Sequence, residues 1–222
     1  MDSVSIECRP GRVYGLLGLN GAGKTTLMRL LSTTLRPTSG TAQVGGFDIL
    51  TEPEKVKEKI GFLSGDTGLY HRLTAEETVS YFGRLNGMER KALKERVDQM
   101  FDRFNMNDFR ARRVGKLSTG MKQKISIART FVNDPEVLIL DEPTIGLDVV
   151  TSRGIIECIR ESKQANKCIL FSTHVMWEAQ KLCDDIAIIH KGRILEVGTL
   201  EQLRAKTGLE DLDDIFVKIV GE

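Results

Sequence analysis

The feature that most constrains this chain is a short apolar run that stops in a glycine-rich loop and resumes as a helix. Val13, Tyr14, Gly15, Leu16 and Leu17 carry no charge and read as a buried strand. Gly18-Leu19-Asn20-Gly21-Ala22-Gly23-Lys24-Thr25-Thr26 follows, matching G-x-x-x-x-G-K-[ST], and residues 24–34 have a helical pattern. Glycines let the backbone curl until successive N–H groups converge on one anion, and the helix that follows adds its positive end. Lys24 then reaches the β- and γ-phosphates, and the Thr25 hydroxyl reaches Mg²⁺. The motif alone arises by chance in about one chain in a hundred of this size, so the strand before it and the helix after it carry the reading. Gly18, Asn20, Gly21, Ala22, Gly23, Lys24, Thr25 and Thr26 are the expected nucleotide contacts.

Around this loop the chain alternates short apolar runs with longer helical patterns, as an α/β fold with a mainly parallel sheet does. Val137 to Leu140, Cys168 to Ser172 and Ile186 to Ile189 read as buried strands, and residues 149–164 and 175–182 as helices. Residues 75–133 differ, showing helical patterns and polar turns only. Leu93, Val97, Met100, Phe101 and Phe104 fall on one helix face. That stretch reads as an all-helical insertion into the α/β core.

Composition excludes several classes. The 222 residues suffice for a substantial core, and a net charge of +1 gives no basic footprint for nucleic acid. No apolar run approaches the ~20 residues of a membrane span. Early charges at Asp2, Glu7 and Arg9 are unlike a secretory signal. Cys8, Cys158, Cys168 and Cys183 show no metal or disulfide spacing and are expected as buried free thiols.

The run at Val137 to Leu140 ends in Asp141-Glu142, at the strand end where open α/β sheets place ligands. Asp141 is a candidate for holding Mg²⁺ through water, and Glu142 for aligning or deprotonating an attacking water. An acidic cap for the next helix is the competing reading. Downstream of Cys168 to Thr173, His174 also stands at a strand end.

A third element is Leu117-Ser118-Thr119-Gly120-Met121-Lys122-Gln123, directly ahead of a helical run. Its hydroxyl, backbone N–H groups and helix dipole suit a second anion site. With Gly146-Leu147-Asp148 and Ser172-Thr173-His174 beyond the acid pair, the order resembles the nucleotide-binding subunits of ABC transporters. The resemblance spans residues 13–195 and implies a P-loop NTPase core of RecA-like type, with a small antiparallel β subdomain and an all-helical subdomain. It implies one ATPase domain over residues 1–222, with 1–74 and 134–222 forming the core and 75–133 the helical subdomain. Ser118 and Gly120 become the signature loop, Asp148 the D-loop acid and His174 the switch histidine at the γ-phosphate. Glu142, His174 and Lys24 become the catalytic set, Thr25 and Asp141 the Mg²⁺ set.

The sequence departs from the family pattern in places. Gly65 stands where the Q-loop glutamine is usual, with Asp66 beside it, and Thr119 and Met121 replace commoner signature residues. Such signatures resemble those of exporters, and residues 62–70 resemble the NatA-type sodium exporters. Met1 to Cys8 reads as a strand, no adenine-stacking aromatic precedes the phosphate loop, and Tyr14 lies inside the strand and is no substitute. A sheet edge is expected to be left unpaired.

The resemblance implies an ATP-hydrolysing exporter subunit that pairs with a second copy around two ATP and drives separately encoded membrane subunits. It would then sit on the cytoplasmic face of the membrane, held by those partners. The alternatives are an idle regulatory subunit, or a related ATPase acting on nucleic acid or the ribosome.

Overall fold

A computed structural model describes residues 1–64 and 68–221. The expectations attached to Gly65 and Asp66 lie outside the described residues. The elements begin with β1 (Arg12–Leu17), α1 (Lys24–Leu31), β2 (Gln43–Val44), β3 (Phe47–Asp48), α2 (Pro53–Lys59) and β4 (Ile60–Leu63). Three helices follow, α3 (Ala75–Leu85), α4 (Arg90–Arg103) and α5 (Thr119–Phe131), with 3-10 turns at Asn107–Phe109 and Val114–Lys116. Then come β5 (Val137–Asp141), α6 (Val149–Gln164), β6 (Cys168–Thr173), α7 (Met176–Leu182), β7 (Asp185–His190) and β8 (Arg193–Gly198). The chain closes with α8 (Leu200–Thr207) and α9 (Leu212–Val220). None of the described helices is long and apolar enough to cross a membrane.

The chain divides into two compact units, each with its own packing. The first comprises Met1–Phe62, Glu136–Glu142 and Ile159–Glu222, and the second Leu63–Pro135 and Pro143–Cys158.

The first unit is built on a sheet of order β4-β5-β6-β1-β7-β8. The pairs β1/β6, β5/β6 and β1/β7 are parallel and β7/β8 is antiparallel. Strands buried on both faces need uninterrupted apolar sequence, which is how β5 and the middle of β7 read. Leu16, Ile139, Leu170, Ala187 and Met28 pack on one face, and Leu17, Ile186, Ile188, Leu203, Leu212 and Phe216 on the other. Strand β8 alternates half-buried Ile194 with exposed Leu195, Glu196 being half-buried again short of Gly198, as an edge strand does. The small antiparallel pair β2/β3 turns on Gly45 and Gly46, both at positive φ (60° and 85°), the conformation a two-residue hairpin demands.

Three expectations are corrected. Residues 1–8 form no strand. Val4, Ile6 and Cys8 do alternate inward against the core while Ser5 and Glu7 stay exposed, but no ladder joins them to the sheet. Alternation reports which face is buried, and pairing needs a neighbour as well. Helix α1 ends at Leu31 rather than at residue 34, where Thr33 takes a positive φ of 61°. Of the four thiols only Cys158 is fully buried, and Cys8, Cys168 and Cys183 are half-buried.

In the second unit, α3, α4 and α5 pack together around Val79, Leu93, Val97, Met100, Phe101 and Phe104, all buried. Thr74 starts α3 with a capping box: its hydroxyl accepts from the Glu77 N–H and the Glu77 carboxylate accepts from the Thr74 N–H.

Gly15, in the centre of β1, tests how tightly the first unit is packed. A methyl group there would stand 2.4 Å from Cys183 Sγ. Gly15→Ala is expected to cost about 2 kcal/mol, read as a lower midpoint in urea unfolding. An unchanged midpoint would mean that Cys183 moves aside freely.

Candidate functional site

Ladder register decides which residues meet. Leu17 pairs with Thr173, and Asp141 pairs with Ser172, so β1, β6 and β5 end level with one another. Whatever follows each strand therefore emerges side by side, one strand spacing of about 4.8 Å apart.

The phosphate loop follows β1. A Cβ on Gly18 would lie 2.5 Å from the Ile189 carbonyl oxygen, so only glycine fits as the chain leaves the sheet. Gly21 and Gly23 take φ of +80° and +112°, and Gly23 caps α1. The Ala22 N–H donates to the Leu19 carbonyl, and the Gly192 N–H donates to the Ala22 carbonyl, fixing the loop to the turn after β7. Asn20, Gly21 and Thr26 remain exposed.

Lys24 opens α1 with its side chain folded back under the loop, only 4% exposed. Its Nζ donates to the carbonyls of Gly18 at 2.7 Å and Leu19 at 3.2 Å, and lies 3.0 Å from Glu142 Oε1. His174 Nδ1 stands 3.2 Å from the same carboxylate oxygen, at ion-pair distance but without hydrogen-bond alignment. Glu142 thus sits between a lysine and a histidine. Its backbone is held at φ +48°, a left-handed conformation that costs a side-chain-bearing residue roughly 1–2 kcal/mol. The Glu142 N–H donating to the Ser172 carbonyl (3.2 Å) and hydroxyl (3.0 Å) keeps it there.

Asp141 is clamped from both sides. Thr25 Oγ1 donates to one carboxylate oxygen at 2.7 Å and Ser172 Oγ to the other at 2.6 Å. One strand further, Thr173 Oγ1 donates to Glu178 Oε2 at 2.7 Å and accepts from the Val175 N–H at 2.9 Å, which shapes the turn carrying His174. In the sequence Ser172 figures only as part of Ser172-Thr173-His174, and Glu178 carries no motif. The two hydroxyls ahead of His174 were the available signal, since buried hydroxyls at a strand end must have partners.

Burial alone would raise the Glu142 carboxyl, but the close Lys24 ammonium, and then the neighbouring His174, outweigh it and hold it below the ordinary carboxylate range. Thr25 Oγ1 and the Asp141 carboxylate are both oxygen donors of the hard kind that Mg²⁺ prefers, and two protein oxygens suit an ion that keeps most of its waters. The donor set fits that ion. No cluster of three or more His, Cys, Asp or Glu residues suited to a metal occurs among the described residues.

Ser118, Gly120 and Asp148 belong to the second unit. The exposed Ser118 caps α5, its hydroxyl accepting from the Met121 N–H at 3.3 Å. Gly120 has an ordinary φ, and a Cβ there would meet nothing within 4 Å, so the fold itself does not require glycine at that position. Asp148 accepts from the Thr151 N–H and hydroxyl, each at 2.8 Å, at the start of α6. These bonds hold its carboxyl below the usual range, the Thr151 backbone contributing most.

Comparison with known proteins agrees with this geometry. The family model described as ABC transporter matches residues 1–145. The chain is 46% identical over 215 residues to the ABC transporter ATP-binding protein NatA of Bacillus subtilis (strain 168), covering 96% of this chain and 87% of that protein. It is 35% identical over 216 residues to the daunorubicin resistance ATP-binding protein DrrA3 of Streptomyces coeruleorubidus, covering 97% and 68%. A solved structure of the ATP binding subunit of an ABC transporter superposes with a TM-score of 0.92 at 30% identity, covering 97% of this chain and 91% of that one.

The Lys24–Glu142 contact makes a titration testable. A Lys24→Met substitution removes the larger of the two influences that hold the Glu142 carboxyl down and leaves burial, which raises it, opposed only by His174. Its midpoint, followed by carboxyl-carbon NMR, is expected to rise relative to the native chain. In the native chain the stability from this pair is fully present above the unfolded carboxylate's value and is lost as pH falls through the depressed folded value. The Met variant should lack that acid-side loss, and a midpoint that stays put would assign the control to another group.

Proposed function

The chain belongs to the ABC transporter family of ATP-binding subunits, and on that premise we propose how its residues bind ATP, hydrolyse it and pass the work on. It is an ATP-hydrolysing subunit of an ABC transporter of exporter type. The observation that carries the residue assignment is the meeting of Lys24, Glu142 and His174 beside the Thr25–Asp141 pair at one end of the sheet.

Residues 18–26 cradle the triphosphate through backbone N–H groups and the positive end of α1. Lys24 exchanges Glu142 for the β- and γ-phosphate oxygens as ATP enters. That exchange frees the Glu142 carboxylate to align a water and take its proton as the water oxygen bonds to the γ-phosphorus. The bond from the γ-phosphorus to the bridging oxygen then breaks, and ADP leaves with the electron pair. His174 donates a hydrogen bond to the phosphoryl oxygens during the transfer. Thr25 and Asp141 are the residues that would hold Mg²⁺, whose charge offsets that of the phosphates.

A second copy completes the site. Its Ser118 hydroxyl and Gly120 backbone, at the N-terminal end of α5, cap the γ-phosphate, and the open space over Gly120 supports this role. Closing and reopening of the pair drives membrane subunits docked on the helical unit, which keeps the protein at the cytoplasmic face of the membrane.

Two measurements test the scheme. Glu142→Gln is expected to bind ATP normally and to slow turnover by about 10²–10⁴, while accumulating an ATP-bound dimer in light scattering. Turnover at the native rate removes Glu142 from the chemistry. Gly120→Ala is expected to leave stability unchanged or slightly higher, since alanine favours the helix, yet to weaken ATP-dependent pairing by about tenfold or more. Pairing at native strength would remove the signature loop from the site.

A further inference from the structure

The core of the first unit sorts its cysteines by face. Cys8 and Cys168 pack against one side of the sheet, in the group formed by Tyr14, Leu16, Leu170 and Ala187. Cys183 packs on the opposite side, with Leu17, Ile186 and Ile188, and Cys158 is buried in the second unit. Within the first unit, therefore, only Cys8 and Cys168 share a face. The ladder also brings them to the same end of it. Arg12, the first residue of β1, is the register partner of Cys168, the first residue of β6. The Arg12 N–H donates to the Arg9 carbonyl at 3.3 Å, and the Gly11 N–H donates to the Lys167 carbonyl at 2.9 Å. That turn folds the chain back over the start of the two strands. It leaves Cys8, one residue ahead of the turn and facing inward, next to Cys168.

Residues 2–8 form a strap across that face. At its start the Asp2 N–H donates to the Gly192 carbonyl at 2.9 Å, and the Asp2 carboxylate pairs with Arg193. From Ser3 to Cys8 no backbone hydrogen bond to the sheet occurs among the described residues, so the inward packing of Val4, Ile6 and Cys8 holds the strap down. Both thiols are half-buried, within reach of a small solute. The close Cys8 thiol, acting against burial, holds Cys168 below the ordinary thiol range, while the close Cys168 thiol and then burial push Cys8 up. Cys168 therefore supplies the thiolate, which is the nucleophilic form. We propose that Cys8 and Cys168 are an oxidant-sensitive pair, joined by hydrogen peroxide in a disulfide that staples the strap to β6. The Cys168 sulfur bonds to one peroxide oxygen, the O–O bond breaks, and hydroxide leaves with the electron pair, so that sulfur is oxidised to the sulfenic acid and peroxide is reduced. Cys8 then gives up its proton and its sulfur bonds to that of Cys168, displacing the oxygen as a second hydroxide. The two hydroxides take up the two thiol protons, so two thiols and one peroxide give one disulfide and two waters. Neither thiol belongs to the nucleotide site, and the pair stands whether or not the chain drives a transporter.

The test treats the full chain with hydrogen peroxide, caps remaining thiols with an alkylating reagent and digests it under non-reducing conditions, with Cys8→Ser and Cys168→Ser alongside. Mass spectrometry is expected to find the peptides of Cys8 and Cys168 joined in the native chain and separate after dithiothreitol. In Cys8→Ser the reaction is expected to stop at the Cys168 sulfenic acid, which dimedone traps. The crosslink closes a loop of about 160 residues, so the oxidised native chain is expected to melt about 5–10 °C above the reduced one, a rise that neither variant shows. The crosslink in the native chain is read without either variant, so a serine variant that folds poorly does not obscure it. A native chain left without the crosslink, its thiols free or Cys168 held at the sulfenic acid, overturns the proposal. A disulfide from Cys8 or Cys168 to another cysteine, or to a second chain, overturns it equally. A crosslink that forms without raising the melting temperature overturns the staple.

Discussion

The parallel register of β5, β6 and β1 is the constraint on which the rest depends. Because Asp141, Ser172 and Thr173, and Leu17 end their strands level, the phosphate loop, the acid pair and the histidine turn must emerge together. A slip of one residue would turn every inward side chain outward. The apolar content of the strands, which excludes such a slip, therefore also fixes the geometry of the site. Ser172 lies at the centre of this arrangement. It sits on the middle strand, donates to Asp141 and accepts the Glu142 N–H, so that one hydroxyl orients two neighbouring acids.

Charge inside this frame is balanced by the chain's own side chains. Lys24 is almost wholly buried and would be costly unpaired, and Glu142 supplies its counter-charge. In the proposed cycle the triphosphate replaces that counter-charge, which links the release of Glu142 to the arrival of ATP. The left-handed backbone of Glu142 belongs to the same design. It turns the carboxylate toward Lys24 and His174, whereas an extended continuation of β5 would carry it on along the strand.

The helical unit meets a different requirement. Its core is packed around Phe101, Phe104 and Met100, yet it presents the exposed Ser118 and the open Gly120 at one helix start, and the Arg129 Nη atoms have no hydrogen-bond partner among the described residues. Groups left over once a unit has satisfied its own packing are the ones available to other molecules. In the assembly proposed above Ser118 and Gly120 are taken up by nucleotide.

The sequence by itself determined the element types and the chemistry at their ends. Uncharged runs marked β1, β5, β6 and β7, helical spacing marked α4 and α6, and the loop, acid pair and histidine could be located because each follows an apolar run. It also misled where one signal has two causes. The alternation of residues 1–8 is real, but it reflects inward packing without a ladder, and strands of two residues each are too short for the hairpin at Gly45-Gly46 to show an alternating pattern. Only the tertiary structure decided that β6 lies between β1 and β5, that Ser172 joins Asp141 to Glu142, that Lys24 is held by Glu142 and that Arg129 is buried against a ring. Local sequence encodes backbone preference and burial, which act over a few residues. Contacts such as Thr25 with Asp141, 116 positions apart, exist only once the sheet has set its strand order and register.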